Sequence, residues 1–121
     1  MKIRRNKHGN VKVTHTDGQK FDSKRELARW IELCLLEKAG KISELARQYP
    51  FKLIPSVQLD GRKKPDVRYV ADFIYRVKVE KGFIDKLVVE DSKAPHLRKD
   101  KTYRLKKHLM KHIYDIDIQE V

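Results

Sequence analysis

Cysteine is nearly absent from this sequence: Cys34 stands alone, among Leu33, Leu35 and Leu36. One thiol closes no internal disulfide and makes no cysteine-based zinc site. Its apolar neighbours predict a core thiol, in a chain suited to a reducing cytoplasm. Long apolar runs are missing too. No stretch approaches the ~18 residues that span a bilayer, and no apolar signal segment follows Met1, so neither membrane insertion nor export is expected. Internal repeats and low-complexity tracts are absent. Acidic residues are the scarcer charge, 17 against 29 Lys and Arg, which leaves a net charge of +12 in 121 residues. A chain of that length makes one domain with a modest core, and its 40% hydrophobic content predicts folding rather than disorder. Positive charge on that scale predicts an anionic partner, usually nucleic acid, although a merely soluble basic protein has the same composition.

What is present centres on Leu87-Val88-Val89-Glu90-Asp91-Ser92-Lys93. The apolar run favours a strand and Pro95 stops it soon afterwards. Side chains alternate along a strand, so Leu87, Val89, Asp91 and Lys93 share one face and Val88, Glu90 and Ser92 the other. An acid-x-Lys pattern also occurs at Asp22-Ser23-Lys24, but there it precedes a helix and fits capping chemistry. Only the second follows a hydrophobic strand.

The chain up to residue 20 reads as a basic N-terminal arm and a short hairpin. Lys2, Arg4, Arg5, Lys7 and His8 form either a solvated terminus or a DNA-contacting arm. Val11 to Thr14 alternates like a strand and Asp17-Gly18 signals a turn. Residues 21–121 form the main domain. Ser23-Lys24-Arg25-Glu26 has capping-box spacing and starts a helix over 23–39, with Gly40 as its stop. Leu27, Trp30, Ile31, Cys34, Leu35 and Leu36 define its buried face. Residues 41–48 fit either a helical turn or a bent extended segment. Phe51–Ile54 and Val57–Leu59 read as strand broken at Pro55, followed by a basic, turn-rich loop at 60–66.

From Val67 to Val79 apolar residues alternate through Tyr69, Ala71, Phe73, Tyr75 and Val77, and Asp72 sits among Val70 and Ile74 on the other face. A turn at Lys81-Gly82 returns the chain as a strand over 84–93. If that hairpin closes symmetrically, Asp72 lies directly across from Asp91, on the same face. A helix over 100–112 then buries Leu105, Leu109 and Ile113, with Tyr103 and Met110 beside them, and Asp115–Ile118 alternates as a last strand. Helix, three strands, helix, strand defines an α/β (α+β) domain with a mixed sheet.

Opposed carboxylates repel unless they are protonated or bridged by a cation. Asp72 and Asp91 with Lys93 two residues on suit phosphodiester hydrolysis: Mg²⁺ takes oxygen ligands, polarises phosphate and acidifies a bound water. A solvated acid pair, or an Asp91–Lys93 salt bridge, is the structural alternative. His108 and His112 have the i, i+4 spacing of zinc ligands but lack an evident third ligand, and His96 reads as a loop residue beside the acidic strand.

These residues resemble the PD-(D/E)XK nuclease superfamily. The segments Phe21-Asp22-Ser23-Lys24-Arg25-Glu26, Tyr69-Val70-Ala71-Asp72-Phe73 and Val88-Val89-Glu90-Asp91-Ser92-Lys93 are similar to a family of small phage and prophage proteins assigned to it. The resemblance covers nearly all the chain after residue 10. It implies an αβββαβ restriction-endonuclease-like core with a central mixed sheet between two helices, and places Asp72, Asp91 and Lys93 as the motif residues. Glu26 matches a first-helix glutamate that completes the metal site, although a capping-box glutamate needs no such reason. Ala71 stands where the motif has proline; the literal Pro65-Asp66 lies in a loop and reads as a decoy. Glu90 replaces Asp91 if a bulge shifts the strand. Lys106 matches a helix lysine that helps at the phosphate.

The expected activity is therefore that of a Mg²⁺-dependent DNA endonuclease, with Mn²⁺ as a substitute. Asp72, Asp91, Glu26 and the Ser92 carbonyl would hold the metal, and Lys93 would position the attacking water. Arg62, Lys63 and Lys64 of the loop, and Arg98, Lys99, Arg104, Lys106, Lys107 and Lys111 along the second helix, would grip the DNA backbone. The resemblance further implies phage recombination or DNA processing in a bacterial cytoplasm, branched (Holliday-junction-like) DNA as substrate, and a homodimer. The alternative is a non-catalytic basic nucleic-acid-binding module in which the acids are structural.

Overall fold

The computed structural model describes residues 3–5, 11–79 and 84–121. Ser23 opens the first helix, α1 (Lys24–Lys38): its backbone is extended and its hydroxyl accepts from the Glu26 N–H at 3.1 Å. The Glu26 carboxylate reaches back to accept from the Asp22 N–H, so the box closes one residue earlier than the usual pattern. At the other end Gly40 takes φ +75. There the Gly40 and Lys41 N–H groups donate to the carbonyls of Glu37 and Leu36, which is a Schellman stop.

The buried stripe of α1 is narrower than the sequence pattern. Leu27 and Leu33 are buried and Trp30 half-buried, whereas Ile31 and Leu35 face solvent, Leu35 with 63% of its surface exposed. Apolar residues cover more of the helix circumference than one sheet can shield. Glu26 belongs to the buried arc and shifts it toward Leu33, a residue the expected stripe omits.

Three short strands, β1 (Ile3–Arg5), β2 (Val11–Thr14) and β3 (Lys20–Phe21), make an antiparallel sheet. It packs Val13 and Phe21 onto Leu27 of α1. The main sheet has the order β4 (Ser43–Ile54), β7 (Val67–Val79), β8 (Ile84–Asp91), β9 (Gln119–Glu120). The first three are antiparallel, and β9, reached through α2 (Lys101–Tyr114), runs parallel to β8. The molecule is thus a mixed α+β fold with two helices and a mixed sheet. Adjacent residues of β8 belong to different cores. Val88 packs with Leu33, Phe73 and Tyr75, and Val89 with Tyr69, Tyr103 and Met110. Since successive strand residues point to opposite faces, α1 and α2 cover opposite sides of the sheet. No helix among the described residues is long and apolar enough to cross a membrane.

The β7–β8 ladder runs from Val79↔Ile84 to Phe73↔Glu90, the register of a hairpin symmetric about Lys81 and Gly82. Those two turn residues lie outside the described residues. One step beyond the last pair stand Asp72 and Asp91. The expected single-face alternation over 67–79 breaks there. Tyr69 and Ala71 belong to the α2 core, while Phe73 and Tyr75 belong to the α1 core. Gln48, which the β4–β7 register sets opposite Asp72, adopts φ +52. A left-handed residue inside a strand re-aims its neighbours.

Within 41–48 the chain bends at Lys41 and Ile42 and is extended from Ser43, the start of β4. The basic loop is a second hairpin, β5 (Val57–Leu59) with β6 (Arg62–Lys64), turned by Asp60 at φ +53 and Gly61 at φ +76. Consecutive positive φ values are the signature of a type I′ turn, which is why Asp-Gly suits it. Every residue of these two strands is exposed. Asp100 caps α2 by accepting from the Tyr103 N–H at 2.9 Å. The helix buries Tyr103 and Met110, half-buries Leu109, and leaves Leu105 and Ile113 exposed. Asp115, left-handed at φ 56, ends α2. The expected strand at 115–118 is therefore loop, and pairing begins only at Gln119.

The corrected faces of α1 predict that Leu33→Ala costs about 3 kcal/mol. Leu35→Ala should stay within about 0.5 kcal/mol of the parent. Urea denaturation of the two variants reads this directly, and the reverse order would contradict the buried face described here.

Candidate active site

Three elements converge where the β7–β8 ladder opens. Asp72 comes from the parity break in β7, Asp91 from the last position of β8, and Glu26 from the first turn of α1. Together with Asp22, Gln48 and Lys93 they line a cleft of about 270 Å³. The sequence-predicted residues Glu26, Asp72, Asp91, Ser92 and Lys93 are all in its wall.

Each carboxylate is held from behind. Asp72 accepts from the Ser92 N–H at 2.8 Å and from the Gln48 side-chain amide at 3.3 Å. The same Gln48 nitrogen donates to Glu26 at 3.2 Å, so one NH₂ group bridges two carboxylates. Asp91 accepts from the Tyr69 hydroxyl at 2.7 Å. The Lys93 ammonium stands 4.0 Å from Asp91 Oδ1 and 4.7 Å from the centre of the Tyr103 ring. The Arg47 guanidinium reaches Glu26 at 3.3 Å while stacked on Phe21. Ser92 contributes its N–H, and its hydroxyl is buried without a hydrogen-bond partner.

The electrostatics follow from crowding. Burial first, then the charges of Asp91 and Glu26, push the Asp72 carboxyl up to about 8. Burial and Asp22 raise Glu26 as well, against the opposing pull of Arg47. Burial and the Asp91 charge push the Tyr69 hydroxyl far up, so it remains a proton donor to Asp91. The cleft is an oxygen-lined site with more negative charge than its own cations neutralise.

Other sequence candidates lie elsewhere. Glu90 points to the opposite face, where Arg29 grips it with Nε at 2.8 Å and Nη2 at 2.7 Å and the Tyr75 hydroxyl donates to it. Asp91 rather than Glu90 therefore reaches the cleft. Asp66 pairs with Arg68 at 2.9 Å and with Lys52 at 3.9 Å, outside the cleft wall. Lys106 is half-buried on α2 and also outside it, and His96 is exposed in the 3₁₀ turn Pro95–Leu97. Arg62, Lys63 and Lys64 lie on the exposed β5–β6 hairpin. Arg98, Lys99, Arg104, Lys107 and Lys111 line a separate concavity. Among the described residues no three His, Cys, Asp or Glu side chains form a ready-made metal cluster, and His108 with His112 gains no third ligand. Sequence reasoning missed Gln48 and Tyr69. Gln48 sits in the stretch whose helix-or-strand reading stayed open, and its positive φ leaves no mark in the pattern.

This chain belongs to a family described as a protein of unknown function (DUF1064), whose model matches residues 5–119. No match was found among curated proteins or solved structures.

The Asp72 environment predicts a pH signature. Its folded pKa lies above its ordinary carboxyl value, so its favourable contribution is complete below about pH 4 and is lost as pH rises toward 8. Asp72→Asn should therefore be more stable than the parent at pH 8, by about 2–5 kcal/mol, with the gain vanishing near pH 4. Denaturant midpoints across that range test it, and a pH-independent difference would refute it.

Proposed function

We propose that this protein is a divalent-metal-dependent endonuclease that hydrolyses phosphodiester bonds in DNA. The observation that carries the reading is the meeting of Glu26, Asp72, Asp91 and Lys93, from α1, β7 and β8, in one cleft. The order of the core elements adds support: a helix, three antiparallel strands, a helix and a parallel strand, with the acids on the second and third strands. The motif resemblance implies an αβββαβ restriction-endonuclease-like core, and this order is consistent with that reading.

The donor set fits a hard divalent cation. It is all oxygen, its crowded carboxylates disfavour the charged form of Asp72 until a cation neutralises it, and a buried Ser92 hydroxyl beside them has no hydrogen-bond partner. Asp72 and Asp91 would hold Mg²⁺ or Mn²⁺, with Glu26 completing the set. A bound ion supplies a Lewis acid for the phosphate and a lower pKa for a coordinated water. The chain's own residues do the rest. Gln48 fixes the spacing of Glu26 and Asp72, and Tyr69 fixes the orientation of Asp91. Lys93 stands where an ammonium can orient a nucleophilic water or neutralise charge developing on phosphorus. The basic hairpin at 62–64 and the flank of α2 supply phosphate contacts, so affinity should fall steeply with salt.

The test is incubation of the purified protein with labelled four-way-junction, flap and linear duplex DNA in Mg²⁺, Mn²⁺ or EDTA. Cleavage should require metal, and Asp72→Ala and Lys93→Ala should each lower it by roughly 10²-fold or more. A preference for the junction would support branched DNA as the substrate. Mg²⁺ should also raise the melting temperature of the parent but not of Asp72→Ala. Binding without cleavage on every substrate and metal would replace the nuclease reading with that of a nucleic-acid-binding module.

A further inference from the structure

A second concavity, of about 500 Å³, opens between α2 and the chain leading into β9. Its wall carries Arg98, Lys99, Arg104, Lys107, His108 and Lys111, with Asp117 and Glu120 as its acids. Five permanent cations against two carboxylates leave an excess of three positive charges in one hollow. The acids are already taken: Glu120 lies 3.4 Å from Lys107 and Asp117 lies 3.0 Å from Lys111. Arg98 spends its Nε on the Lys93 carbonyl at 3.0 Å. Lys99 and Arg104 make no ion pair among the described residues. Such a hollow is set for a ligand that brings negative charge and acceptors.

The wall contains no Phe, Tyr or Trp on which a base could stack, His108 being its one ring, and charged side chains dominate it. That selects phosphate over base as the group recognised. The position selects the phosphate's owner. Glu120 is the register partner of Asp91 on the neighbouring parallel strand, so one residue of the hollow's wall lies about one strand spacing, ~4.8 Å, from one of the cleft's wall. The segment after β8 joins them, since Leu97 lines the cleft and Arg98 the hollow.

We infer that the hollow between α2 and β9 is a phosphate-binding site that holds a nucleic-acid backbone phosphate beside the one in the carboxylate cleft. The inference rests on the reading that the cleft acts on nucleic acid, but binding at the hollow needs neither metal nor cleavage. The backbone is gripped there without regard to sequence.

The experiment measures binding of a labelled DNA duplex in EDTA by fluorescence anisotropy across a salt series. The parent is compared with a Lys99→Ala/Arg104→Ala variant, two exposed side chains without structural partners. A Lys38→Ala/Lys41→Ala variant removes the same charge from the end of α1. The hollow variant should raise Kd roughly tenfold and flatten the salt dependence by about two counterions, while the control changes Kd less than threefold. Titration with inorganic phosphate, followed by backbone amide NMR, should move signals of residues 98–111 and 116–120 in the parent and not in the hollow variant. Duplexes with 5′-phosphate and 5′-hydroxyl ends separate the two sources of phosphate. Equal affinity identifies an in-chain group, and a preference for the phosphorylated end identifies a terminal one. Equal losses in the two variants, or no phosphate-induced shifts, would overturn the inference and favour an acidic protein segment as the occupant. Because no arm reads cleavage, an inactive cleft leaves the result intact.

Discussion

The ion pair between Arg29 and Glu90 fixes the relation between the two halves of the site. Glu90 is 1% exposed, and a carboxylate so deeply buried is tolerable only when paired and hydrogen-bonded. The Arg29 guanidinium meets it with two nitrogens, and the Tyr75 hydroxyl supplies a further donor. The pair sits one residue from Asp91 along β8 and less than one helical turn from Glu26 along α1. Helix position and strand position are therefore fixed by a planar two-point contact that tolerates little sliding. The Trp30–Phe73 stack, with centroids 6.0 Å apart, closes the same interface with apolar contact.

A second constraint is the change of face at Asp72. A strand that alternated without interruption would carry Ala71 and Phe73 into the same core. Here they serve different cores, and the residue between them is left at the mouth of the sheet. The left-handed turn of Gln48 on the neighbouring strand accompanies the change, and its amide then reaches across to the residue it displaced. The bend in the backbone and the bridge between carboxylates thus come from one residue.

Much of this was legible because it depends on local chemistry. The helix starting after Ser23, the span of β7 and the register that opposes Asp72 and Asp91 follow from capping, period and turn symmetry. The buried faces were less legible. Ile31, Leu35, Leu105 and Ile113 satisfy helical periodicity yet stay exposed, since which part of a wide apolar arc is covered depends on where the sheet lies. Positive φ at Gln48 and Asp115 comes from tertiary strain and helix termination, and neither residue announces it. For the same reason the start of β4 reads as either helix or extended chain, and the alternation at 115–118 precedes the residues that pair as β9. The Asp60-Gly61 hairpin was readable in principle, but its dense basic residues read as loop.

The Gln48 bridge has a consequence for what the cleft admits. An amide NH₂ has two hydrogens, and Glu26 and Asp72 take both. The Ser92 N–H and the Tyr69 hydroxyl are likewise committed. The wall therefore offers a visitor little beyond carboxylate lone pairs, the Lys93 ammonium and the Ser23 hydroxyl. An anion arriving alone meets repulsion on most sides; a cation, or an anion escorted by one, does not. The cleft is a filter that works by the order of arrival.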